Sequence, residues 1–476
     1  MASDKFRQEL RNESQQWRQD GLITPEQGQQ LADRYQFDRL DEQTSNRFTL
    51  LLIVVGSVLV GLGIITYVAA NWQDIPKVFR TLLLFSLFSI TNLSGFYLHQ
   101  KSDKLQQTLG QGLLLIGGIT LGATMALMAQ MYHISGPLHP LLITWSFGVV
   151  LMAYCLRNSG LGILSALILL WAGGSGSVEL RGWGSEYIAS GIGYQIAILN
   201  LSVIAGLLYL PLAQWTRSRS LFVISIIVSL FNFLPVWSEV RYYSDNILVT
   251  NLLGALTLTA PIAFLWSYPK QVDRIRETFQ PIARNIGILC LGLLLYICSF
   301  RQSFILDTST FGRIVTTDGT KFWMYAIPGI VILCLMTVFQ WSKLVSRFRA
   351  LSRSDVNLNL TIGTMILIVG GYCFFGSKGD RPDTIFVMNG LLAVLSIGCI
   401  RESLETKRRS QFWYGLIVLV LQIVTRFFEY ESELILKAMI LTLCGFGIIA
   451  AGIWFEKYAG RSRTNTSSNS SGDLNS

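Results

Sequence analysis

The sequence predicts an all-α polytopic transmembrane helical bundle of about fourteen spans, within a range of about twelve to fifteen, preceded by a small cytoplasmic helical hairpin. Three observations carry this. Of 476 residues, 51% are hydrophobic and only 14% charged, where an ordinary soluble domain holds roughly 25% charged residues. Apolar runs close to the ~20 residues that cross a bilayer recur along the whole chain. Finally, lysine and arginine alternate in density from one connecting loop to the next, which is a topology signal. The net charge of +9 is dispersed between apolar runs with no basic patch carrying interleaved aromatics, so nucleic acid is not an expected partner.

Residues 1–47 are polar and helix-forming. Phe6, Leu10 and Trp17 share a helical face, Gly21 offers a place for the helix to end, and Thr24-Pro25-Glu26-Gln27 has the layout of a capping box that starts a second helix. Leu31, Tyr35 and Leu40 are spaced to face the first helix. Five acidic residues in the first 30 and no long apolar stretch argue against a signal peptide.

The expected spans are 48–70, 80–99, 109–131, 140–156, 160–178, 188–212, 219–237, 247–268, 285–302, 322–342, 358–376, 384–400, 411–428 and 434–455. The shortest of them lie near the lower limit for crossing a ~30 Å hydrocarbon core. With the N-terminus cytoplasmic, the inner loops and tail hold twenty cationic residues, from Lys101 to Arg463, and the outer loops eleven. The transmembrane domain then covers 48–456, and the polar tail 457–476 has too little apolar surface to order itself. Both termini are expected in the cytoplasm.

Three motifs resemble a known family. They are Trp17-Arg18-Gln19-Asp20-Gly21-Leu22-Ile23-Thr24-Pro25-Glu26-Gln27, then Gly61-Leu62-Gly63 leading to Ala69-Ala70-Asn71-Trp72-Gln73-Asp74-Ile75-Pro76, and Gly118 through Gln130-Met131-Tyr132-His133-Ile134-Ser135-Gly136. In combination they are similar to the bacterial multi-spanning membrane proteins known as domain of unknown function 2157, over about residues 10–160. The resemblance implies a bacterial plasma (inner) membrane and a multi-pass architecture. It brings no activity with it.

Few residues suit chemistry. All seven cysteines lie in apolar runs with no metal-ligand spacing, so they read as small buried hydrophobes and no cofactor or metal is expected. No P-loop, HExxH or GxSxG motif marks an enzyme. No carboxylate lies near the middle of a span. Arg426 with Glu429, and Glu433 with Lys437, are spaced for helical ion pairs in a structural outer cluster. Uncharged polar residues within the spans, Asn92, Asn200, Asn232, Asn389 and Gln422 among them, are expected to hydrogen-bond between helices, and Gly118 and Gly122 to form a close-packing face.

Two constellations are candidate sites. Asn71, Trp72, Asp74, Gln130, Tyr132 and His133 would meet as a polar cluster at the outer ends of the first and third spans, where an interfacial belt explains them, or where His133 titrates beside Asp74. Trp17, Leu22 and Ile23 on the hairpin are the candidate partner-binding residues. The nominal function is a permease or flippase for a neutral or lipidic substrate, with glycine breaks such as Gly173-Gly174-Ser175-Gly176 as its motive. The alternative is a membrane anchor or sensor scaffold recruiting a cytoplasmic protein partner through the hairpin. The lipid bilayer is the expected partner in either case.

Overall fold

The computed structural model describes residues 10, 13–14, 16–18, 20–35, 74–134, 136, 138–182, 192–240, 247–269, 279–300, 319–347, 353–375, 382–406, 408–429, 435 and 437–453. The expected first span, the tail, Phe6 and Leu40 lie outside them. The described residues are helical, with no strand among them. The chain divides into two units, Met1–Ser86 and Leu87–Ser476.

In the first unit the chain turns at Gly21 with φ of 74°. Leu22 N–H then bonds the Trp17 carbonyl at 2.8 Å and Gly21 N–H the Arg18 carbonyl at 3.4 Å, closing the preceding helical turn. Helix α1 (Pro25–Tyr35) opens on the anticipated capping box. Gln27 N–H donates to Thr24 Oγ1 at 3.3 Å, and Thr24 N–H to Gln27 Oε1 at 3.0 Å. Helix α2 (Lys77–His99) follows an exposed turn at Asp74, and the boundary of the first unit falls within it, at Ser86.

The second unit continues with α3 (Lys104–Met131), α4 (Leu138–Leu156), α5 (Ser159–Gly182), α6 (Ile192–Leu199), α7 (Leu201–Thr216), α8 (Arg219–Val240), α9 (Ile247–Trp266), α10 (Phe279–Cys298), α11 (Gly319–Ser346), α12 (Arg353–Phe375), α13 (Pro382–Thr406), α14 (Arg409–Glu429) and α15 (Lys437–Ile453). Among the described residues, eight helices, α2–α4 and α10–α14, are long and apolar enough to cross a membrane, and five shorter apolar stretches lie in α5, α7, α8, α9 and α15. The sixth expected span is not continuous. Asn200, with φ −108° and ψ 8°, separates α6 from α7. The glycine break expected at 173–176 is instead part of an unbroken α5.

Among the described residues two large apolar cores form, and a small third gathers around Phe412 and Leu416 of α14. One large core joins α3, α4, α5, α7 and α8 with the start of α10 through Phe279 and Ala283, and the other α9, the rest of α10, α12 and α13. Helix α9 serves both, giving Phe264 and Leu265 to the first and Ile262, Ala263 and Trp266 to the second. The outward faces are also apolar: Leu93 on α2 is 69% exposed and Phe386 on α13 is 80% exposed. A protein folded against water hides such a surface, whereas hydrocarbon solvates it.

The hairpins α4–α5 and α7–α8 reverse in two residues, and both do so through an arginine in the left-handed region, Arg157 (φ 49°) and Arg217 (φ 55°). Close packing relies on glycine where side chains cross. An added Cβ on Gly122 would stand 2.2 Å from the Trp145 ring, whose Nε1 donates to the Gly118 carbonyl at 2.7 Å. The Gly118/Gly122 face therefore holds an indole. Between α13 and α14, a Cβ on Gly415 would come 2.7 Å from the Ser396 carbonyl, so two backbones touch.

Candidate functional site: an apolar cleft ending in a basic pocket

Helices α7, α8, α9 and α11 do not close against one another along their whole length. A cleft of about 220 Å³ runs between them, lined by Val203, Gly206, Leu207 and Leu210 of α7, Ile226, Leu230 and Phe233 of α8, Phe264 and Leu265 of α9, and Leu333 and Met336 of α11. Two helix-interior prolines form part of its wall. Pro211 and Pro261 lie inside α7 and α9 and both line the cleft, and an interior proline removes a helical hydrogen bond and bends the helix. Leu207, 46% exposed, stands at its rim toward the surrounding solvent.

The cleft meets a second cavity of about 500 Å³ through shared residues Tyr268, Pro269, Met336 and Gln340. That cavity is the more polar of the two. It is lined by Gln280 and Arg284 of α10, Lys343 and Arg347 at the end of α11, and Asp355 and Asn359 at the start of α12. Along α11, Leu333, Met336, Gln340, Lys343 and Arg347 recur at helical spacing on one face. Its character changes from apolar to amide to cationic over about 21 Å, at 1.5 Å per residue.

A layer of hydrogen bonds holds the polar end in shape. Asn359 Oδ1 accepts from Trp266 Nε1 at 3.0 Å and from Arg284 Nη2 at 3.4 Å, and the Arg284 guanidinium lies 5.0 Å from the centre of the Trp266 ring. Ser267 Oγ donates to Gln340 Oε1 at 3.1 Å, and Gln214 Nε2 donates to the Tyr268 hydroxyl. Tyr268 packs edge-on against Phe222, ring centres 5.3 Å apart. Arg284 Nε is buried and has no partner among the described residues. The Lys343 ammonium sits 4.0 Å over the Phe339 ring, while Lys343 and Arg347 are both exposed.

A separate polar cluster marks the opposite ends of α10, α13 and α14. Arg426 donates to the Ser299 carbonyl at 2.6 Å, lies 4.3 Å over the Phe300 ring and pairs with Glu429, as the spacing in the sequence suggested. Gln422 Nε2 bonds the Asn389 carbonyl at 2.8 Å, and Asn389 Nδ2 reaches the Ser299 carbonyl at 3.3 Å. These bonds are fully explained as glue between three helices.

The residues singled out from sequence fall elsewhere. Asn71 and Trp72 lie outside the described residues, and Asp74 is exposed in the first unit. Gln130, Tyr132 and His133 end α3 in the second unit, all exposed. His133 has φ of 54°, with its N–H on the Gln130 carbonyl at 3.3 Å and Ile134 N–H on Ala129 at 2.9 Å, so it serves as a helix terminator. Trp17 and Ile23 are half-buried and Leu22 is 71% exposed. In the sequence Arg284, Lys343 and Arg347 stand out only as topology charges, although the α11 stripe recurs there at its helical period.

The outward apolar faces, the long apolar helices and the polar ends define an integral membrane protein of the all-α, multi-helix class. Within it, residues 15–162 match the model of the family described as "Predicted membrane protein (DUF2157)", as the three motifs implied. No curated protein and no solved structure matches the chain.

Proposed function

We propose that the protein is a permease or flippase for a lipidic substrate, which enters the cleft between α7, α8, α9 and α11. The carrying observation is the gradient within one continuous site, apolar along α7 and α8 and polar beyond Tyr268. From Ser202 to Gln214 the cleft wall rises about 18 Å at 1.5 Å per residue, close to one leaflet of a ~30 Å core. A neutral soluble solute has no use for an apolar wall of that depth, whereas an acyl chain does. The setting we favour is a bacterial plasma membrane with the 1–47 hairpin and the tail on the cytoplasmic side. The test is lipid exchange between leaflets in proteoliposomes. The wild-type chain should accelerate exchange of a fluorescent lipid, and Gly206→Phe, which fills the cleft wall, should bring the rate back to that of empty vesicles. Equal rates for both would defeat the reading.

The anchoring alternative has one observation in its favour: Leu22 stands exposed at a turn fixed on both sides, by Gly21 and by the Thr24 capping box. Deleting residues 1–45 should then abolish crosslinking to a cytoplasmic protein and leave insertion intact. Unchanged crosslinking would remove that alternative. For Gln130, Tyr132 and His133, exposed at the end of α3, we propose an interfacial belt.

A further inference from the structure

We infer that the substrate carries a phosphate-bearing, anionic headgroup, seated between Arg284, Lys343 and Arg347 while its acyl chain lies in the apolar cleft; this rests on the lipidic reading of the same site. Three cationic side chains and one carboxylate, Asp355, line the polar cavity. The charge there is net positive. Geometry adds to the count. Arg284 is already fixed by Asn359 and the Trp266 ring, so little orientational freedom remains to be lost when an anion arrives. Its buried Nε still has no partner among the described residues, and a guanidinium presents such a donor to a phosphate oxygen in a planar fork. Lys343 near the end of α11 and Arg347, the residue just past it, are both exposed and supply the rest of the grip. The same α11 face begins at Leu333 and Met336 within the cleft, so tail and headgroup are recognised on one continuous surface.

The experiment titrates the detergent-purified full chain with dioleoyl phosphatidylglycerol, dioleoyl phosphatidylcholine, dioleoylglycerol and inorganic phosphate, and reads bound species by native mass spectrometry. Phosphatidylglycerol should bind most tightly, and Lys343→Gln with Arg347→Gln should weaken it by about fivefold for each cation removed, leaving dioleoylglycerol unchanged. Arg284→Gln should weaken it further. Because its loss also disturbs Asn359, the exposed pair provides the deciding variant. Gly206→Phe should abolish the preference for phosphatidylglycerol. A preference that survives Gly206→Phe reflects general attraction of anionic lipid to the surface and overturns the inference. Inorganic phosphate competing as well as the lipid overturns it in favour of a soluble anion. Equal binding of all three lipids, with loss on Gly206→Phe, overturns the headgroup assignment and leaves the lipidic reading standing, whereas no lipid binding at all ends both.

Discussion

Among the described residues, four in the left-handed region end helices or helical turns: Gly21, His133, Arg157 and Arg217, with φ of 74°, 54°, 49° and 55°. Each is followed by an N–H that reaches five residues back, as Asn158 does to Ala153 at 3.1 Å and Ser218 to Ala213 at 3.1 Å. A side chain in that conformation costs about 1 kcal/mol relative to glycine. At Arg157 the guanidinium stacks 4.6 Å over the Trp215 ring, which returns a similar ~0.5–1 kcal/mol. His133→Gly should therefore raise the thermal midpoint in detergent, by the equivalent of roughly 0.5–1 kcal/mol, and Arg157→Gly should leave it near unchanged. If the two shift alike, the stacking carries no weight. Only Gly21 announced its turn by residue type. The left-handed turn at His133, a residue the sequence offers to an interfacial belt or to a titrating pocket, is a matter of backbone geometry that no side-chain pattern reports. A related lesson concerns the asparagines. Asn92, Asn200 and Asn232 were expected to bond between helices, yet each donates Nδ2 to the carbonyl four residues back, at 2.8, 2.6 and 2.8 Å. Each then lays its Oδ1 against a glycine of another helix, Gly117, Gly329 and Gly173. Glycine sockets of this kind predict that Gly122→Ala, which would collide with a Trp145 ring pinned by its own hydrogen bond, destabilises by about 1–3 kcal/mol. A midpoint equal to that of the unaltered chain would show that the indole moves aside freely.

At the scale of elements, helix existence was readable throughout the described residues, because an apolar run of span length leaves the backbone no alternative to internal hydrogen bonding in hydrocarbon. Continuity was less readable. The Asn200 break between α6 and α7 follows from local geometry that a hydropathy average smooths away. The tie between α10 and α14 was half readable: the three-residue spacing gave Arg426 and Glu429, and only the fold brings Ser299 beneath them. Side-chain exposures of 14% and 17% make this pair largely desolvated. Removing one member of such a pair leaves the other charge uncompensated, at a cost of about 3 kcal/mol or more. Arg426→Met should thus lower the thermal midpoint well beyond the effect of Arg401→Met, whose pairing with Glu405 is 83% and 60% exposed and worth at most about 1 kcal/mol. Equal effects of the two substitutions would mean that the α10–α14 tie is solvated.

For the whole molecule, the candidate site escaped the sequence because it is a juxtaposition of side chains from six helices, α7 to α12, and spacing within a helix says nothing of which other helix stands opposite. The sidedness of that site can still be argued. Hydrogen bonds Gln214–Tyr268, Ser267–Gln340, Trp266–Asn359, Arg284–Asn359 and Gln411–Asn285 gather the ends of α7, α9 and α11 and the starts of α10, α12 and α14 into one layer. Arg284, Lys343, Arg347, Arg408 and Arg409 belong to that layer by their positions at the same helix ends. Cations resist translocation during insertion, so the layer that collects them should face the cytoplasm, and the cleft should open to the inner leaflet. In a chain freed of its seven cysteines, a single cysteine at Lys343 should react with a membrane-impermeant thiol reagent only after the cells are permeabilised. One at Phe428, 57% exposed near the opposite end of α14, should react in intact cells. The reverse pattern would turn the bundle over, place the basic pocket at the outer leaflet and require the substrate to be drawn from there.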